Sequence, residues 1–287
     1  MDHKDSEIKI RDHECFQNFG RWNGTAEAGY KVNFLGAKRK TEYQDFEISS
    51  NRVDSSFPNF DEEYFEWIDM LKAVLNSSQR FTIMELGAGY GRWSVNGAIA
   101  ATNLGKDYRI IAVEGEPQHF KWLQDNIRNN SLDMNRCKLI QAAVSGSGVE
   151  SKFYAGDSAG WYGQRILFSN DPPLSQEYLS RGVHFVSVKC ITLPSLVQEE
   201  DVIDFVDMDV QGSELEIIQS TKKEIASQIK KIHIGTHSHE IEEGLRKFFH
   251  ELGWISTYDY GCQGKHMTEY GEIDFVDGVQ GWINPNF

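Results

Sequence analysis

No apolar run in this chain approaches the ~18 residues that a membrane helix needs. The first residues, Met-Asp-His-Lys-Asp-Ser-Glu, contain no apolar stretch of the kind a secretory signal carries. Basic charge is also scarce, with 29 Lys and Arg against 43 Asp and Glu and a formal net charge of −14. Nucleic acid demands a basic face, and so does an anionic membrane surface, so neither partner is expected. The four cysteines, Cys15, Cys137, Cys190 and Cys262, form no Cys-x-x-Cys pair. Reduced thiols in a cytoplasmic protein are expected rather than disulfides or zinc. Repeats and low-complexity tracts are absent too. What remains is ordinary globular composition, 40% apolar and 25% charged over 287 residues, enough for one sizeable core and an appendage.

Residues up to about 58 are polar and irregular, yet they carry Phe16, Phe19, Trp22, Tyr30 and Phe34. That is too many aromatics for a disordered tail, so an ordered cap packed on the main domain is expected. A helix follows, with Tyr64, Trp67, Ile68, Leu71 and Val74 on one face. The chain is thus divided into a cap with its lead-in helix, 1–78, and a binding domain, 79–287. Apolar runs at 81–86, 108–113, 137–144, 184–191, 202–208 and 231–235 alternate with helical spacing at 93–101, 118–129, 213–227 and 240–252. Alternation of this kind predicts parallel strands with covering helices. The end differs: 254–260 and 272–276 are strand-like runs joined without a helix, which predicts an antiparallel pair closing the sheet. The stretch 277–285, with its single large aromatic Trp282, reads as core or dimer packing.

Between Ile83 and Gly91 the chain reads Ile-Met-Glu-Leu-Gly-Ala-Gly-Tyr-Gly. Here a strand runs into alternating glycines, which serve where a turn needs unusual dihedrals or a ligand lies against the backbone. Gly87 and Gly89 are followed by Arg92 where a dinucleotide fingerprint needs its third glycine. Glu85 would repel a pyrophosphate but suits a ligand that presents an ammonium group. That contrast points to S-adenosylmethionine as cofactor rather than a dinucleotide, the alternative being an ordinary strand-to-helix turn. The next apolar run ends in Glu114, where an acid in a doubly wound sheet accepts hydrogen bonds from ribose hydroxyls.

With Glu85-Leu-Gly-Ala-Gly-Tyr-Gly91, Val113-Glu-Gly-Glu-Pro117, Ala142-Ala-Val-Ser145 and Asp204-Phe-Val-Asp-Met-Asp-Val-Gln-Gly-Ser-Glu214, the chain resembles the FkbM family of S-adenosylmethionine-dependent methyltransferases. The last segment is similar to the family's Asp-Phe-Ile-Lys-Ile-Asp-Val-Glu-Gly-x-Glu signature. The likeness covers roughly residues 80 to 220 well and the last third loosely. It implies an α/β class I methyltransferase fold, a Rossmann-like, mostly parallel seven-stranded sheet with an antiparallel C-terminal pair. It also implies cofactor contacts by Glu85, Gly87, Gly89 and Glu114, with Ala143 near adenine and Asp209 beside the methyl group. The family largely methylates oxygens of small natural products, sugars and related hydroxylated compounds. Asp207 and Gln211 depart from it, standing where the family has lysine and glutamate.

Methyl transfer to an alcohol needs alignment and a group that takes the proton. Asp207 and Asp209 alternate along one strand face, and His233, His237 and His239 alternate along the next candidate strand end. His237 is the candidate general base, with Asp209 orienting it or binding the substrate hydroxyl. The competing reading makes His233 a core residue and His239 a helix cap. A divalent ion on Asp209, His237 and another carboxylate is a variant, but the spacing matches no compact metal motif, so no metal is assigned. The loop 157–163, with Trp161 and Tyr162, is either a lid over the substrate or a plain turn with Trp161 packed on the cap. The expected activity is O-methylation of a hydroxyl on a small molecule, natural product or sugar. N-methylation, carboxyl methylation and a non-catalytic S-adenosylmethionine-binding protein are the alternatives, and Glu85 and Arg92 speak against a dinucleotide oxidoreductase. An aromatic cap covers either the active site or a neighbouring subunit, so a homo-oligomer stays open.

Overall fold

The computed structural model describes residues 11–44 and 56–287. Seven strands form the central sheet: β1 (Arg80–Leu86), β2 (Asp107–Glu114), β3 (Cys137–Gln141), β4 (Phe205–Met208), β5 (Lys231–Thr236), β6 (Ile255–Tyr260) and β7 (Gly278–Ile283). Their order across the sheet is 3-2-1-4-5-7-6. β1 to β5 pair in parallel, and β7 runs antiparallel between β5 and β6. This is the mixed α/β, mostly parallel seven-stranded sheet expected for the class I methyltransferase fold.

The strands read as continuous apolar runs because both sheet faces are covered. Ile83 and Met84, adjacent on β1, are both fully buried but in different cores. One core holds α1 (Glu63–Asn76), α2 (Arg92–Asn103) and α3 (Pro117–Asn129); the other holds α4 (Glu214–Gln219), α5 (Lys222–Gln228) and α6 (His239–Glu251). The stretch expected as one helix over 213–227 is broken at Ser220–Thr221, giving α4 and α5. Aromatics of the N-terminal segment join the first core. Phe16 lies 5.8 Å from Phe34 and 5.4 Å from Tyr64, and Phe34 lies 5.4 Å from Trp67 (ring centroids). Asn33 Nδ2 donates to Asn96 Oδ1 at 2.7 Å, tying the segment to α2. Among the described residues no helix is long and apolar enough to cross a membrane.

Three strand expectations are corrected. The run at 272–276 does not join the sheet: Gly271–Phe275 folds back on Gly264–Thr268 as a separate hairpin. The antiparallel strand is β7, in the stretch read from sequence as packing alone. Its glycines hide it, since glycine weakens a strand pattern. They are there for close approach: a Cβ at Gly281 would meet Thr257 Oγ1 at 2.2 Å and Asp69 Oδ2 at 2.4 Å. Trp282 on that strand is fully buried and stacks on Phe249 at 5.0 Å, so it is a core residue. Finally, His184–Val188 pairs with Ser151–Ala155 outside the main sheet.

The helix α1 is held to the sheet by a buried charge. Asp69 forms an ion pair with Lys231 at 2.5 Å and lies 3.0 Å from His233 Nδ1. Burial alone would raise its carboxyl, but the Lys231 charge and the His233 hydrogen bond outweigh that and hold it below the usual range. Replacing one member strands the other in a low-dielectric interior. Asp69→Asn is therefore expected to lower unfolding free energy by about 3–5 kcal/mol in denaturant titrations, and a loss below about 1 kcal/mol would show that Lys231 escapes to water.

Candidate active site

The carboxyl ends of β1, β2, β4 and β5 converge on one cleft. At the end of β1, Gly87, Gly89 and Gly91 all take positive φ, at 82°, 54° and 77°. The turn folds onto β2, with the Gly87 and Ala88 amides both donating to Val113 O at 3.0 Å. Gly87 is also pressed against β4: a Cβ there would sit 1.8 Å from the Asp209 carbonyl oxygen. Gly91 packs on α3, where a Cβ would meet Leu123 at 2.3 Å. Of the three, Gly87 and Gly89 line the cleft.

Two buried carboxylates hold this turn. Glu85 accepts from the Trp93 and Ser94 amides at 3.0 and 2.9 Å, and from the Ser94 hydroxyl. It therefore caps the positive end of α2 as well as lining the cleft. Burial pushes its pKa up to about 7. Glu114, at the end of β2, accepts from Gly89 N at 2.6 Å and Glu116 N at 2.7 Å. Burial raises it to about 8 in spite of those two bonds. Glu114, Ala143, Gly87, Gly89 and Asp209 all line one lobe of the cleft. Glu85, Asp207 and Asp209 line the other, together with Gly87 and Gly89.

Past β4 the chain wraps around Glu214. This fully buried carboxylate accepts from Val210 N at 3.3 Å and Gly212 N at 3.0 Å. Gln211 takes a left-handed φ of 55° and Gly212 one of 109°. Glu214 also receives His237 Nδ1 at 2.9 Å, while His237 Nε2 lies 3.4 Å from Asp209 Oδ1 and 3.7 Å from Asp277 Oδ1. Burial alone would lower the His237 pKa. The Glu214 hydrogen bond and the Asp209 and Asp277 charges overcome it and raise the pKa to about 9. Asp209 is pushed up to about 6 by the enclosing cleft, with His237 opposing and Glu214 and Asp277 adding to the rise. Gln211 Nε2 donates to Asp209 Oδ1 at 2.6 Å.

The methyltransferase FkbM domain matches residues 85–262, well over half of the chain and the span that carries this whole constellation except Asp277. The chain belongs to that family. It is a methyltransferase. A relative from Jannaschia sp. (strain CCS1), provisionally described as a methyltransferase, is 29% identical over 268 residues, 92% of this chain and 95% of that one. Among solved structures, a methyltransferase FkbM from Methylobacillus flagellatus KT aligns at 15% identity and a TM-score of 0.48, covering 77% of this chain and 50% of its own. A precorrin-6Y C5,15-methyltransferase from Geobacter metallireducens GS-15 aligns at 13% identity and a TM-score of 0.43, covering 76% and 85%.

Within this FkbM domain the three alternating histidines do not act together. β5 ends at Thr236, so the alternation stops before His237. His233 lines the lobe of Asp207 and Asp209 but is buried and bonded through Nδ1 to Asp69, and His239 is 71% exposed beside Glu242, with Ser238 rather than His239 capping α6. Asp207 does share the cleft with Asp209, and it forms a buried carboxyl pair with Glu66 of α1. Burial holds both acids well above the usual range; Asp207 adds to the rise of Glu66, while the bond from Glu66 opposes that of Asp207 and the Glu85 and Asp209 charges add to it. Sequence spacing does not reach Asp277 and Glu66, because they come from α1 and the turn before β7. Tyr162 spans both lobes, stacked on His119 at 4.4 Å and bonded through its hydroxyl to Tyr43 O. Trp161 packs on Tyr178 at 5.2 Å.

Gly87 carries the sharpest steric demand here. Gly87→Ala should cost about 1–3 kcal/mol in unfolding free energy, since both its φ and the Asp209 carbonyl oppose a side chain. An alanine variant of unchanged stability would mean that the turn and β4 are further apart than this.

Proposed function

We propose that this chain is an S-adenosylmethionine-dependent O-methyltransferase acting on a hydroxyl of a small molecule, natural product or sugar. The observation that carries this reading is the Asp209–His237–Glu214 array beside the Gly87–Gly89 turn. The residues of the adjoining lobe fit a nucleoside. Glu114 faces it with a buried carboxylate that two hydroxyl donors would satisfy, Ala143 leaves a small apolar wall for a base, and the glycines let a ligand approach the backbone. When bound, the cofactor would supply an electrophilic methyl group on a sulfonium, whose C–S bond would break as the acceptor's C–O bond formed.

The chain's own residues prepare the nucleophile. A histidine raised to about 9 already carries its proton at neutral pH, so His237 holds charge rather than accepting a proton. Asp209, raised only to about 6, is ionised at that pH and 47% exposed to the cleft. It takes the acceptor's hydroxyl proton, while the imidazolium and Gln211 orient it. Glu214 fixes the ring through Nδ1. An amine acceptor is the second reading, favoured by the carboxylates of Glu62, Glu66, Asp207 and Asp277 along the same wall.

Substitution of the array separates these readings. Asp209→Asn and His237→Ala are each expected to lower turnover of a hydroxyl acceptor about 10²–10⁴-fold, and an amine acceptor would lose far less. At saturating substrates the rate should rise with pH through about 6, as Asp209 ionises, and fall above about 9, as His237 loses its proton. A rate indifferent to pH between 5 and 7 would remove Asp209 as the proton acceptor.

Cofactor affinity should follow Glu114 instead. Ribose hydroxyls donate to the ionised carboxylate, so S-adenosylmethionine should bind more weakly as pH falls below about 8, by up to about tenfold per pH unit. Glu114→Ala should weaken binding by roughly 1–3 kcal/mol in calorimetry and flatten that pH dependence.

A further inference from the structure

One polar atom in the cleft is left over. His237 Nε2 is enclosed by protein and has no hydrogen-bond partner. The ring cannot turn to find one, because Nδ1 is committed to the buried Glu214, itself held by Val210 N and Gly212 N. Nε2 faces Asp209 Oδ1 at 3.4 Å and Asp277 Oδ1 at 3.7 Å. Those separations are long for hydrogen bonds; the 3.4 Å one matches two ligands of one ion, and the 3.7 Å one does so once Asp277 closes slightly on the ring. With metal–ligand bonds of about 2.0–2.2 Å, neighbouring ligand atoms lie about 3.0–3.6 Å apart.

We propose that His237 Nε2, Asp209 and Asp277 bind one divalent first-row cation at the floor of the cleft. Three different chain segments supply the ligands: the ends of β4 and β5 and the turn into β7. Glu214 acts as the outer carboxylate that orients a metal-bound imidazole. Asp209 and Asp277 are 47% and 45% exposed, so an ion has an entry path and keeps open coordination positions. One imidazole with two carboxylates suits Mn²⁺, Fe²⁺ or Zn²⁺ better than Ca²⁺ or Mg²⁺. In the metal-loaded chain the ion takes the place of the proton on Nε2, so the imidazolium and its pH profile belong to the metal-free chain, and a cation there would make a nearby hydroxyl more acidic. Ligand atoms of Asp209, Glu214 and His237 lie within 4.8 Å of one another, as do those of a second cluster, His239, Glu242 and Cys262. There His239 Nδ1 is already bonded to Glu242, whose other oxygen receives Cys262 N, so no atom is left over. The site rests on the methyl-transfer reading for its use and not for its existence.

The test is uptake of Mn²⁺ alone by the chelator-treated chain, followed by the electron paramagnetic resonance signal of free Mn²⁺. One equivalent should disappear. Asp277→Asn should weaken uptake by about tenfold or more, and His239→Ala should leave it unchanged. Mn²⁺ should raise the melting temperature of the natural chain and not that of Asp277→Asn, whose metal-free melting shows that it is folded. No uptake at one equivalent, or equal uptake by Asp277→Asn, overturns the proposal. Calorimetry with S-adenosylmethionine in the presence of chelator reads the cofactor separately. Cofactor binding without Mn²⁺ uptake removes the ion alone, whereas Mn²⁺ uptake without cofactor binding removes the methyl-donor reading alone.

Discussion

The backbone of β1 meets that of β4 just where both strands end. Asp209 N donates to Leu86 O at 2.9 Å, and the Asp209 carbonyl lies so close to Gly87 that no side chain fits between. This contact ties the glycine turn to Asp209. Everything in the cleft is placed relative to it. Gly89, two residues along, holds Glu114, and Asp209 lies 3.4 Å from His237 Nε2. Parallel pairing of β1 with both β2 and β4 is what brings these strand ends level.

Around that contact the structure gathers acid where burial opposes its ionisation. Glu85, Glu114, Glu66, Asp207, Asp209 and Asp277 are all raised, and burial is the first cause for each. The nearby cations do not cancel them: Arg92 forks onto Glu63, and Lys231 is taken by Asp69 below. The cleft is thus poised to gain from a positive centre, whether a sulfonium, an ammonium or a metal ion. Glu85 and Glu114 differ in how they meet this. Glu85 spends both oxygens on the first turn of α2, while Glu114 binds two amides at the mouth of a lobe that a ligand can enter.

Much of this was legible in the chain. The strand-and-glycine pattern at 83–91 marked the turn, Glu114 followed from the end of the next apolar run, and Asp209 lay within a signature segment. These are local features, in which period, turn chemistry and strand end coincide within a few residues. The alternation of histidines was misleading because β5 ends before His237. Strand β7 was missed because its glycines, demanded by Asp69 and Thr257 packed against it, dilute the pattern of a strand.

The sequence by itself determined the parallel α/β architecture and the position of the glycine turn, since each follows from local spacing. Beyond Asp209, only the tertiary structure decided the partners of His237. Glu214 reaches it from the start of α4 and Asp277 from the turn before β7, the strand paired with β5, 23 and 40 residues away in the chain (237 − 214 and 277 − 237). The charge a histidine carries depends on which carboxylates surround it, and no sequence period encodes a meeting of three separate strand ends and turns.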